Sequence, residues 1–363
     1  MKRLIFSVII ILFAQSCIYG MTLEQKVGQL FLIRPDHLDL TLSNETIVNS
    51  RAEGVQQFTD AMFDTMIKYP AGGFVIFRKN INNPVQLKKF TKALKDSYII
   101  PPLIAVDEEG GSFSRLANHE NFKLPKIKSI SSLKSPVQTR SFASKISSYL
   151  SAFGIDWDFA PVADLNTNPE NIVIGGRTFG SDPVYVSKMV KAFLDGLHKY
   201  NIKGTLKHFP GHGSTTGDPH KNTVSLEKSW DELKSAELIP FIDNLDKADS
   251  IMIAHVTIKN ITGDDLPASL SKELVTGKLR DELKYGGIII TDSLAMGAIT
   301  EHYDPAEAAV LAIEAGNDML LMPYDYVSAF NGVLNAVRSG RISESRLDES
   351  VRRILKLKGV VEK

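Results

Sequence analysis

The sequence predicts an α/β fold, a single-domain (β/α)8 TIM barrel, and three observations carry that prediction. Short apolar or β-branched runs recur eight times along the chain. The stretches between them carry apolar residues at three- and four-residue spacing, the pattern of helices packed by one face. No linker rich in Pro, Gly or Ser interrupts the alternation, so one domain accounts for the length.

In order, the strand runs are residues 30–34, 73–77, 103–106, 155–162, 203–208, 250–255, 287–291 and 318–322. Segments 83–95, 184–200, 230–245, 272–283 and 305–315 are among the helices expected between them. A doubly wound open sheet would suit the same alternation but calls for a Gly-rich phosphate turn after an early strand. No G-x-G-x-x-G is present, and the turn at Glu109-Gly110-Gly111 is acidic where a phosphate would sit.

Composition narrows the chemistry. With 43% hydrophobic and 23% charged residues among 363, disorder and a disulfide-stapled scaffold are excluded. Forty-two basic residues balance forty-two acidic ones, so no nucleic-acid partner is expected. The one cysteine, Cys17, rules out internal disulfides and cysteine-based metal sites. It follows a basic Met1-Lys2-Arg3, an apolar stretch over 4–13 and Ala14-Gln15-Ser16, the layout of a cleaved export signal. That layout resembles a bacterial lipoprotein signal with Gln15 loosening the lipobox. Residues 1–20 are therefore expected to act as a signal, with lipid on Cys17, and 21–363 to form the catalytic domain.

Barrel active sites form at the carboxyl ends of the strands. Asp107, Asp164, Lys207-His208, His255 and Asp292 each follow an apolar run there. Any one alone reads as a helix cap, but five on one rim make a polar pocket. The densest stretch, 207–220, holds His208, His212 and His220 among three glycines and two prolines, a loop composition. Three histidines invite a metal, yet no carboxylate-bearing helix motif accompanies them, so no metal or cofactor is expected. Asp218, two residues before His220, suits an acid–base pair instead.

The run Lys207-His208-Phe209-Pro210-Gly211-His212-Gly213 with Asp218-Pro219-His220 resembles the signature of bacterial β-N-acetylhexosaminidases of glycoside hydrolase family 3. Asp107-Glu108-Glu109-Gly110-Gly111 with Arg115, Gly176-Arg177-Thr178-Phe179-Gly180, and Thr291-Asp292-Ser293-Leu294-Ala295-Met296 resemble three further motifs of that group. The resemblance implies that Asp292 is a nucleophile, His220 a general acid and base, and Asp218 its partner. It implies that Asp107, Arg115, Arg177, Lys207 and His208 hold a terminal N-acetylglucosamine. The export signal is the largest departure from the group, many of whose single-domain members act in the cytoplasm, and with it an exported monomer of the periplasm or envelope is expected. Pro219 stands where serine is usual, Glu108 where glutamine is commoner, and Ser293 at a variable position. A family 3 β-glucosidase or xylosidase, an N-acetylglucosaminide phosphorylase and a non-catalytic glycan-binding lipoprotein are the alternatives.

Overall fold

A computed structural model describes residues 18, 20–168, 170–171, 173–215 and 224–361. Among the described residues, twelve strands run in chain order as β1 Phe31–Ile33, β2 Gly73–Val75, β3 Leu103–Val106, β4 Glu108–Gly110, β5 Phe113–Ser114, β6 Trp157–Asp158, β7 Lys203–Phe209, β8 Val224–Ser225, β9 Ser250–Ile253, β10 Val256–Thr257, β11 Ile288–Ser293 and β12 Met319–Leu321. Eight of them close a barrel in the order β1, β2, β3, β6, β7, β9, β11, β12. Every pairing in it is parallel, for example Ile288 to Thr291 against Ser250 to Ile253.

All eight predicted runs contain a barrel strand. They read as nearly continuous apolar stretches because a parallel barrel is covered inside by packed side chains and outside by helices. The run 155–162 forms a strand only at Trp157–Asp158 and pairs again at a single bridge, Val162 to Lys207, with Pro161 bringing no N–H to the ladder between them. Outside the barrel, β4 and β5 form an antiparallel hairpin and β8 pairs with β10. The hairpin turns at Gly110 and Gly111, with φ of 98° and 64°, a region that side chains disfavour.

Four outer helices start with one device. Asn83, Ser135, Asp182 and Asp304 accept backbone N–H groups of the first turn, and Pro84, Pro136, Pro183 and Pro305 follow as first helical residues. Proline costs nothing there because its missing N–H would have no helical partner. The helix expected over 230–245 is broken into Trp230–Ser235 and Ile239–Ile242. Pro240 and the buried Glu237 between the two pieces account for the break. Segment 272–283 winds more widely, as a π-helix over Glu273–Glu282, with Glu273 and Lys278 paired at 3.4 Å five residues apart.

The bottom of the barrel, at the strands' amino ends, is stapled by the fully buried Asp318. Its carboxylate accepts from Arg280 at 2.7 Å, Arg353 at 2.8 Å, the Ser350 hydroxyl at 2.9 Å and the Ile289 amide at 3.0 Å. The helix Leu23–Gln29 meets the last helix, Glu344–Leu357, on the same face. Lys26 pairs with Asp348 at 2.8 Å, and Lys358 donates to Gln29 at 2.6 Å.

Candidate active site

At the opposite end of the barrel, β3 delivers Asp107 and the hairpin that follows delivers Glu109. Side chains two residues apart on extended backbone point the same way, so both carboxylates face one cation from β7. Lys207 lies 3.0 Å from Asp107 and 2.6 Å from Glu109. Arg115, at the end of the hairpin, meets the other Asp107 oxygen at 3.0 Å. Arg177 grips Glu109 at two points, 2.7 and 2.9 Å, with its guanidinium 4.3 Å from the centre of the Phe113 ring. A planar fork on a carboxylate is the strongest arrangement open to this pair.

Burial alone would raise the Asp107 and Glu109 carboxyls. The neighbouring cations outweigh it, and both stay below the usual carboxylate range, held by Lys207 and Arg115 in one case and by Arg177 and Lys207 in the other. Lys207 shows the reverse balance. Burial works against its charge, but Glu109 and Asp107 lift it above the ordinary lysine range. The group is ionised throughout.

The buried Asp164, after β6, organises the start of the 207–220 loop. One oxygen accepts from His208 Nδ1 at 2.7 Å and from the His208 amide at 3.0 Å; the other accepts from the His212 amide at 2.6 Å. This fixes His208 with Nε2 turned towards Arg177, 3.5 Å away. Gly213 follows because a Cβ there would lie 1.6 Å from the Leu165 carbonyl oxygen. Burial, and then His208, lower the pKa of His212, whose Nδ1 faces the Thr215 hydroxyl at 3.0 Å.

Asp292 stands across the mouth on β11, half-exposed, with the Ser293 amide donating to it at 2.7 Å. The adjacent backbone is held by His255 from beyond β9. Its Nε2 lies 2.9 Å from the Ser293 carbonyl oxygen and its Nδ1 2.7 Å from the Ser269 hydroxyl. His255 therefore supports the strand end that carries Asp292.

Five predicted sugar-binding residues, Asp107, Arg115, Arg177, Lys207 and His208, thus form one connected network, with Asp292 facing the same opening. Asp218 and His220 lie outside the described residues, as does Cys17. Glu109 sits at the centre of the network, and reading the sequence by strand ends passed over it. The signal was its two-residue spacing from Asp107. Arg34, at the end of β1, was also passed over; it stacks 4.2 Å from the Phe77 ring centre, and Arg115 approaches the same ring at 5.2 Å. Among the described residues, no three His, Cys, Asp or Glu side chains converge as a metal-binding set, and no helix is long and apolar enough to cross a membrane.

The sequence is 30% identical over 321 residues to beta-hexosaminidase A of Pseudoalteromonas piscicida, covering 80% of this chain and 54% of that protein. It is 32% identical over 319 residues to the beta-hexosaminidase LpqI of Mycobacterium tuberculosis, covering 84% and 80%. The solved M. tuberculosis LpqI structure superposes with a TM-score of 0.79 at 28% identity, over 95% of this chain and 96% of that one. A family 3 beta-N-acetylglucosaminidase from Paenibacillus sp. superposes with a TM-score of 0.84 at 35% identity, over 94% of this chain and 62% of that one. The chain therefore spans just over half of the Pseudoalteromonas protein and under two thirds of the Paenibacillus one. The profile of the glycosyl hydrolase family 3 N terminal domain matches residues 22–357, and the chain belongs to that family.

Proposed function

We propose that this chain is a retaining exo-β-N-acetylhexosaminidase that releases terminal, non-reducing β-linked N-acetylglucosamine from peptidoglycan fragments or amino-sugar oligosaccharides. The observation that carries this reading is the convergence of a dense hydrogen-bonding network of acidic and basic side chains and a partly exposed carboxylate, Asp292, on one barrel mouth. Relatives named beta-hexosaminidase support it.

In this reading Asp107, Arg115, Arg177, Lys207 and His208 hold the sugar's hydroxyl and acetamido groups. Asp292 attacks the anomeric carbon while His220, its imidazole supported by Asp218, protonates the departing oxygen. His220 then takes a proton from water, which attacks the glycosyl-enzyme and frees Asp292. An imidazole titrates near neutrality, so it serves as donor and acceptor without the burial a carboxylic acid needs.

The test compares aryl N-acetylglucosaminide with aryl glucoside, with and without inorganic phosphate. Expected is a preference for the acetamido sugar of about a hundredfold or more in kcat/KM, with free N-acetylglucosamine as product. Equal rates would favour the glucosidase reading, a sugar 1-phosphate the phosphorylase reading, and binding without turnover a glycan-binding protein. We further propose that residues 1–20 direct export and that Cys17 carries lipid; a Cys17→Ser variant still found with membranes would refute the anchor.

A further inference from the structure

We propose that Glu108 is a positioning residue that sets the geometry of Asp107 and Arg115; the inference rests on the reading of those two as sugar-binding groups. Asp107 and Arg115 flank a hairpin whose strands are three and two residues long, too short to hold a shape unaided. Its register is irregular between Glu108 and Gly110. A single long backbone bond, from the Arg115 amide to the Asp107 carbonyl oxygen at 3.3 Å, joins the two ends, and Glu108 adds further ties.

Glu108 points away from the mouth, as alternation along an extended backbone requires when Asp107 and Glu109 point into it. Its side chain is fully buried and makes no contact with the opening. One carboxylate oxygen accepts the Leu116 amide at 2.8 Å. The other accepts the Ala117 amide at 2.9 Å and the Tyr149 hydroxyl at 2.8 Å. Glu108's own amide donates to Asp158 on β6 at 2.9 Å. The residue after Asp107 is thereby tied to the two residues after Arg115, and all are tied to the barrel and to the helix Pro136–Ala152.

With these partners, the carboxylate does this. Two backbone amides approach two different oxygens, and a glutamine in the same place would turn an NH2 group towards one of them, setting donor against donor in a buried site. A protonated Glu108 carries the same defect. The titratable groups around it are Tyr149 from the helix and Asp158 from β6, with Asp107 and Lys207 nearby at the mouth. Burial raises its carboxyl despite the donors it receives. As pH falls through that raised value, the clamp loosens before Asp107, held low by Lys207 and Arg115, is affected.

The experiment measures kcat and KM of wild type, Glu108→Gln and Tyr149→Phe across aryl N-acetylglucosaminides of graded leaving-group pKa, from pH 4 to 8. Expected for Glu108→Gln is a KM raised about tenfold, kcat within about threefold, and the same change for every leaving group, since sugar binding is misplaced and proton delivery is not. Its kcat/KM should also lack the acidic fall expected of wild type. Tyr149→Phe, which keeps both amide bonds, should raise KM about twofold and decides the matter if Glu108→Gln does not fold. Unchanged KM in the folded variants, or losses that grow with leaving-group pKa, would overturn the inference alone. A wild-type protein inert on the whole panel would overturn the functional reading and this inference with it.

Discussion

The barrel has a charged network at each end, and the two are built alike but placed differently. At the bottom, Asp318 places both carboxylate oxygens against two arginines, a serine and a backbone amide drawn from three separate segments. At the mouth, Asp107 and Glu109 share Lys207 and take one arginine each, all within a cluster of strand-end loops. The bottom network joins elements that would otherwise part. The upper one compresses charges of both signs beside an opening and points them where a ligand enters. Similar chemistry thus becomes a staple or a site according to which end of the strands carries it.

Removing Asp292 should sharpen this contrast most. Asp292→Ala is expected to lower kcat by on the order of ten-thousandfold on every aryl substrate while leaving the melting temperature nearly unchanged, because the group is only partly buried at the mouth. Steady-state rates and calorimetry on one preparation check both halves. A variant that unfolds early would make Asp292 structural.

The opposite profile is expected at the bottom. Asp318→Ala leaves Arg280 and Arg353 partly buried without their carboxylate, which should destabilise the protein by about 3 to 5 kcal/mol in urea unfolding. KM of the folded fraction should stay within about twofold of wild type. A large KM change would break the separation of the two ends.

A smaller effect is expected between them, at Asp158. Burial, together with the neighbouring Glu108, raises its carboxyl well above the ordinary range. A raised folded-state pKa means that the native form keeps a proton which the unfolded chain releases above about pH 4, so wild type loses stability as pH climbs from there. Asp158→Asn has no such proton to keep. Its melting-temperature advantage should be absent near pH 4 and grow towards pH 8. A constant offset at all pH values would mean that the residue is ionised in the folded protein.

The fold was legible because a parallel barrel demands apolar strands, and eight such runs are hard to arrange otherwise. Site residues were legible where an ionisable side chain directly follows such a run, as at Asp107, Lys207 and Asp292. Glu109 and Glu108 were not separated as partners because that depends on which way alternate side chains point in a hairpin. The hairpin itself is built by two positive-φ glycines and is too short to show a strand pattern. Asp164 appeared as one polar strand end among five, although it arranges both His208 and His212. That role needs two loops distant in sequence to meet. The break at Pro240 was readable from the residue itself, and apolar periodicity across 230–245 masked it.

The docking of the first helix against the last has a consequence for orientation. Leu23–Gln29 ends where β1 begins, on the face opposite the mouth, and Ile18 is already buried in the core. A lipid on Cys17 would leave almost no slack, because the few residues between it and the helix span at most about 17 Å when extended. The molecule would then stand on its closed end with the mouth outward, roughly a barrel's height from the bilayer. Under the proposed function, glycan termini presented from the far side would reach it, and those still carried on membrane lipids would not.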